Sequence, residues 1–253
     1  MYIDTHCHVL NEYYDDIDNV INECISNGIK RIIVNGTDIN SDMEVLSLVL
    51  KYDIVYGAIG FHPTELDNFN EEYFEFLENN ITNPKIVAIG EMGLDYHYDN
   101  TDKEKQLYVF RRQLDIASKY NKPVIVHSRD SIQDTFDTLK EYDLKGSIHC
   151  FSGSVMMARE FIKIGYKIGV GGIITYKNAK TIKDVVKDID LSDILFETDS
   201  PFLAPVPYRG EDNSPKYIPI IADMIADIKG VSSTDVSDVT TATAEAIFDF
   251  FLN

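Results

Sequence analysis

Ile86-Val87-Ala88-Ile89-Gly90-Glu91 is an unbroken apolar run that ends at a carboxylate. A strand that is apolar on both faces belongs in a parallel sheet covered by helices, because a half-exposed antiparallel strand alternates apolar with polar residues. The same pattern repeats outward in both directions. Upstream, Tyr14 to Asn27 carries Ile17, Val20, Ile21, Cys24 and Ile25 at helical spacing and stops at Gly28. Strands over Arg31 to Asn35 and Ile54 to Ile59 follow, with helices over Ser41 to Lys51 and Glu71 to Asn80. Downstream, Thr101 to Glu104 has capping-box spacing and opens a helix with Leu107, Phe110, Leu114 and Ala117 on one face.

The alternation continues to the end of the chain. Strands are expected at Val124 to Val126, at a run ending in Ile148, at Tyr166 to Val170 and at Ile194 to Phe196. Helices are expected through Phe136 and Leu139, over Ala158 to Ile164 and near Ala179 to Lys187, with two more near Pro215 to Lys229 and Thr234 to Phe251. With a first strand ending Ile3-Asp4-Thr5-His6-Cys7-His8, eight strands alternate with helices, and the 253 residues read as one (β/α)8 TIM-barrel domain.

In that fold the functional groups sit at the C-terminal ends of the strands. The ends here carry His6 and His8, His62, Glu91, His127, His149 and Asp199. His6 and His8 share a strand face while Cys7 points away, and two neutral imidazoles converging on one point make half of a metal site. Two divalent ions are expected: one held by His6, His8 and Asp199, the other by His127 and His149, with Glu91 bridging them. Asp199 is also the candidate general base. Glu197, one step deeper on the same strand face, reads as a group that orients a ligand. Each of these residues alone has an ordinary reading as a surface charge or a packed core histidine. Their joint placement at strand ends is what carries the expectation, since of six histidines only His97 lies elsewhere.

The net charge of -19 argues against wrapping a duplex, which needs Lys and Arg against phosphates. A site holding two cations reverses the field locally, so a short or single-stranded phosphodiester stays compatible. No run reaches the roughly 18 apolar residues of a membrane span, and no basic leader precedes an apolar stretch. Three widely spaced cysteines, Cys7, Cys24 and Cys150, fit reduced thiols, with Cys7 and Cys150 turned into the core. The expectation is a soluble cytoplasmic protein.

The motifs Asp4-Thr5-His6-Cys7-His8, Gly60-Phe61-His62-Pro63, Gly90 to Tyr96, His127-Ser128-Arg129-Asp130, His149 to Gly153 and Glu197 to Leu203 together resemble the TatD-type metal-dependent deoxyribonucleases of the amidohydrolase superfamily. The likeness spans nearly the whole chain. It implies a two-metal phosphodiesterase using Mg, Mn or Zn, with ligands His6, His8, Glu91, His127, His149 and Asp199, that shortens single-stranded DNA from the 3′ end. It implies a substrate-side role for His62, whose plainer reading is a brace for the Pro63 turn. Arg129 and Arg209 are candidate phosphate clamps and Tyr96 a candidate base-stacking ring. Here Arg209-Gly210 runs into the acidic Glu211-Asp212, a departure that weighs against affinity for long polyanions. Two other functions fit the same residues: an ester or amide hydrolase such as a D-aminoacyl-tRNA deacylase, and a non-catalytic metal-binding protein.

Overall fold

The computed structural model describes residues 1–99 and 101–250. Its strands are β1 (Tyr2–Cys7), β2 (Ile29–Asn35), β3 (Val55–Ile59), β4 (Ile86–Asp95), β5 (Val124–Arg129), β6 (Gly146–Ile148), β7 (Tyr166–Val170) and β8 (Ile194–Phe196). They form one sheet in sequence order, each parallel to the next. The ends of the sheet meet just past β8, where the His8 amide donates to the Ser200 carbonyl at 2.7 Å and the Asp199 amide to the His6 carbonyl at 3.0 Å. This is the (β/α)8 barrel that the alternation of the sequence predicts.

The helices are α1 (Ile17–Ser26), α2 (Ile39–Lys51), α3 (Glu72–Asn80), α4 (Lys103–Tyr120), α5 (Ile132–Leu139), α6 (Val155–Lys163), α7 (Lys180–Asp188), α8 (Ile218–Lys229) and α9 (Ser233–Ile247). Their starts follow local capping chemistry. Asp16 caps α1 by accepting from the Asn19 amide, so the helix begins at Ile17, the first residue of its apolar stripe and three residues after the expected start at Tyr14. In α4 the cap is Asp102, which accepts from the Lys105 amide, instead of the Thr101 box. The segment expected as one helix from Pro215 opens as a tight turn over Pro215–Tyr217 before α8. Phe251, expected in the last helix, lies outside the described residues.

The largest departure is at the top of the barrel. β4 runs on to Asp95 and β5 to Arg129, pairing Gly93 with His127 and Asp95 with Arg129. The polar and glycine residues that end the apolar run remain extended because a neighbouring strand supplies their hydrogen bonds. Gly93 is required there: its φ is +148°, and a Cβ would stand 2.0 Å from the His127 carbonyl oxygen.

One apolar cluster fills the space between strands and helices. A second joins Ile3, Ile125 and Leu195, each the second residue of its strand, and Ile33 of β2 to Ala244, Ile247 and Phe248 of the closing segment. The last helix thereby plugs the end of the barrel at which the strands begin. That leaves the opposite end, where the strands finish, for the polar residues.

Candidate metal centre

Residues 91, 93 and 95 alternate onto one face of β4, and this places Glu91 in the middle of the ring. Its two oxygens face different groups. Oε2 lies 3.4 Å from Nε2 of both His6 and His8, and Asp199 Oδ1 is 3.6 Å from the same two nitrogens. Oε1 lies 2.9 Å from His127 Nδ1 and 3.4 Å from Nε2 of both His62 and His149. Three overlapping groups keep their candidate donor atoms within 4.8 Å of one another: His6, His8 and Glu91; His62, Glu91 and His127; His6, His149 and Asp199. His149 therefore stands between the halves, stacked on His6 with ring centroids 3.7 Å apart, where the sequence suggests a pairing with His127 alone.

The tautomers fit cation binding on one side of the ring. His8 Nδ1 is 2.9 Å from the Asn35 carbonyl oxygen and donates to it, so in the neutral ring the lone pair is on Nε2. That nitrogen lies 3.1 Å from His6 Nε2, a pair that a proton or a cation can join. His127 Nε2 is held by Asp95 Oδ2 at 3.0 Å, leaving Nδ1 toward Glu91. His62 is the exception. The Thr64 amide donates to its Nδ1 at 3.2 Å, so the neutral ring carries its proton on Nε2, aimed at Glu91, and is set up as a donor.

Charge explains the protonation pattern. Burial acts to lower the His8 imidazole, but hydrogen bonds and charge from Asp199 and Glu91 carry it up to about 10. Burial likewise opposes His149, and the charges of Glu197, Glu91 and Asp199 raise it to about 9. Burial pushes Glu91 up, and the facing imidazoles His62, His6 and His149 outweigh it, holding the carboxyl well below its usual range. Burial keeps His6 and His62 below theirs. Buried carboxylates thus draw protons onto His8 and His149, positive charge that a divalent cation would replace.

Beside the ring lies a cavity of about 630 Å³, whose walls include His127, His149 and Asp199 at one end and Ile173, Phe202 and Leu203 elsewhere. A family model described as TatD related DNase matches residues 3–249. The chain belongs to the TatD family. It is 40% identical over 252 residues to the uncharacterized metal-dependent hydrolase YabD of Bacillus subtilis, covering 98% of this chain and 99% of that one. It is 34% identical to the uncharacterized metal-dependent hydrolase YcfH of Escherichia coli K12, over 97% and 95% of the two chains. The crystal structure of YJJV, a TatD homolog from Escherichia coli K12, superposes with a TM-score of 0.94 at 31% identity, covering 98% of both chains.

Against this TatD framework the remaining candidates divide. Arg129 lines the cavity; its guanidinium carbon lies 5.9 Å from the centre of the Tyr98 ring. Arg209 lies over the Tyr176 ring at 4.5 Å and is not among the cavity walls. Tyr96 is also outside them: its hydroxyl donates to Asp134 at 3.0 Å and Lys103 sits over its ring. Cys150 corrects the expectation of a core position. Its φ of +44° breaks strand alternation, and the half-buried side chain joins the cavity wall while Cys7 stays buried. Glu197 is fully buried, accepts the Cys150 amide at 2.6 Å and has Oε1 3.3 Å from His149 Nδ1.

Several supporting residues are not apparent from the sequence alone. Asp95 braces His127, and its one signal is the i, i+2, i+4 spacing Glu91, Gly93, Asp95. Asp4, fully buried, accepts from the His6 amide at 3.2 Å, the Thr198 amide at 3.1 Å and the Thr198 hydroxyl, tying β1 to the end of β8. Two buried glutamines of α4 grip the loops from outside. Gln113 accepts from the Phe61 amide at 2.7 Å and donates to the Phe61 carbonyl at 3.1 Å. Gln106 does the same for Asp95, at 2.9 Å in each direction, and also donates to the Pro63 carbonyl.

Proposed function

We propose that this TatD-family protein is a metal-dependent hydrolase that cleaves phosphodiester bonds, acting as a 3′-5′ exonuclease on single-stranded DNA. The observation that carries the reading is the orientation of Glu91, whose two oxygens each face a separate group of imidazoles. A carboxylate so placed suits two cations, with His6, His8 and Asp199 on one side, His127 on the other and His149 between them. Divalent cations held there would supply Lewis acidity toward a phosphoryl oxygen and an attacking water.

The chain's own groups do the rest. Asp199 stays ionised because burial, which raises it, is outweighed by His149, His8 and His6, so it can take the proton of the attacking water. His62 presents Nε2–H to the same space and can hydrogen-bond a phosphate oxygen or the leaving oxygen. Asn35, Asp95 and Glu197 keep the imidazoles of His8, His127 and His149 in place. Reduced cysteines, with no disulfide among the described residues, suit the cytoplasmic location we propose; no helix there is long and apolar enough to cross a membrane.

The test is a time course on a 5′-labelled single-stranded oligonucleotide with Mg, then Mn, then a chelator. A metal-dependent ladder shortening from the 3′ end is expected, with Asp199→Asn slowed by about 10²–10⁴-fold. If the metal-loaded protein leaves DNA intact but releases the amino acid from a D-aminoacyl-tRNA, the deacylase reading replaces it. If Glu91→Gln changes nothing in either assay, the protein is a metal-binding one without this chemistry.

A further inference from the structure

The cavity beside the metal centre has walls of two kinds. Its carboxylates, Glu197 and Asp199, belong to the metal end, and no other Asp or Glu lines it. Two cations do, Arg129 from the end of β5 and Lys180 from the start of α7. Among the described residues neither Arg129 nor Lys180 has an ion-pair partner, although both are exposed. Positive side chains on a cavity whose carboxylates are confined to its metal end suit an anion.

The second kind of wall is apolar. Phe202 is 47% exposed and Leu203 37% exposed, and with Ile173 they line the same cavity. Phe202 is nonetheless fixed: the rings of Tyr13 and His8 meet it edge to face, at 5.5 and 6.2 Å between centroids. A positioned aromatic ring left open to a ligand cavity is a stacking platform. The volume of about 630 Å³ lies in the range of small-ligand sites, roughly 300–1,000 Å³.

We propose that this cavity is a nucleotide subsite, in which Phe202, Leu203 and Ile173 receive the base and Arg129 and Lys180 receive phosphate oxygens. It rests on the phosphodiesterase reading for its place beside the reacting bond, and it adds what holds the terminal nucleotide there. Recognition then ends within one or two residues of the strand end, in keeping with an acidic surface elsewhere.

The experiment is calorimetric titration of the Mg-loaded protein with deoxyadenosine 5′-monophosphate and with 2-deoxyribose 5-phosphate, which lacks the base. The nucleotide is expected to bind at least tenfold more tightly. Phe202→Ala should remove that advantage while leaving the sugar phosphate unchanged, and Lys180→Gln and Arg129→Gln should each weaken both ligands several-fold. Equal affinity for the two ligands in the wild type, or equal weakening of both by Phe202→Ala, would overturn the base platform. Undiminished binding in both cation variants would overturn the phosphate assignment. Because binding is read without turnover, a nucleotide that binds as described while oligonucleotides stay uncut would sink the nuclease reading and leave the subsite standing.

Discussion

Asp42 shows how much one buried side chain can organise. It sits under the β2 and β3 loops, where its Oδ1 accepts the Gly60 amide at 3.2 Å and its Oδ2 pairs with the Tyr73 hydroxyl at 2.6 Å. Gly36 is glycine for this reason, since a Cβ there would fall 1.9 Å from Asp42 Oδ1. Burial, the largest influence, raises the Asp42 carboxyl well above its ordinary value despite the Tyr73 and Gly60 bonds. A group whose pKa is raised on folding binds its proton more tightly in the folded chain. Its contribution is complete below about pH 4, the unfolded value, and is lost as pH rises through the folded one. Asp42→Asn keeps an acceptor for Gly60 and carries no proton to lose. The variant should therefore gain stability relative to wild type between pH 5 and pH 8, by about 1 kcal/mol or more over that interval. Urea denaturation at the two pH values measures it, and an unchanged difference would mean that Asp42 is ionised in the fold.

At the scale of elements, α4 is the clearest case of a helix that holds a site it does not enter. Gln106 and Gln113 are seven residues apart and so share a face. Gln113→Leu should leave the Phe61 amide and carbonyl buried without partners, at a cost of about 2–5 kcal/mol. It should also slow turnover, because His62 is the next residue. Gln113→Glu can restore both bonds only while protonated, so its melting temperature should fall with rising pH more steeply than that of wild type. Calorimetry on the three proteins checks this, and parallel pH profiles would remove the clamp. These glutamines are not legible in the sequence, where a polar residue on an amphipathic helix reads as part of its wet face. The proposed metal ligands are legible because the fold puts one kind of residue at one kind of place: His and carboxylate where an apolar run stops. Asp95 falls between the two cases. Gly93 interrupts the run that leads to it, and only pairing with β5 shows the strand continuing.

For the whole molecule, the ring of proposed ligands joins the two edges that close the barrel, His6 and His8 from β1 and Asp199 from just beyond β8. A cation bound there acts on the folded state alone. At a hundred times its dissociation constant it adds about 2.7 kcal/mol of stability. For a chain of this size Mn should raise the melting temperature by about 5–10 °C. A chelator should reverse the rise, and Glu91→Gln should blunt it. A melting temperature indifferent to saturating Mn would remove the ring as an ion site. The acidic surface has its own use at this scale, since like charge limits self-association while the ring and the two cations of the cavity wall hold the attractive field in one place.

The contact between His6 and Asp199 has a consequence for the order in which the chain is made. A ribosome releases His6 and His8 first and Asp199 some 190 residues later, yet the three must lie within a few ångströms of one another. A nascent chain that stops short of Asp199 carries the imidazoles and Glu91 but lacks the carboxylate that faces His6 and His8. Completion of the proposed ion site at His6 and His8 is thereby deferred until β8 has been synthesised and has met β1.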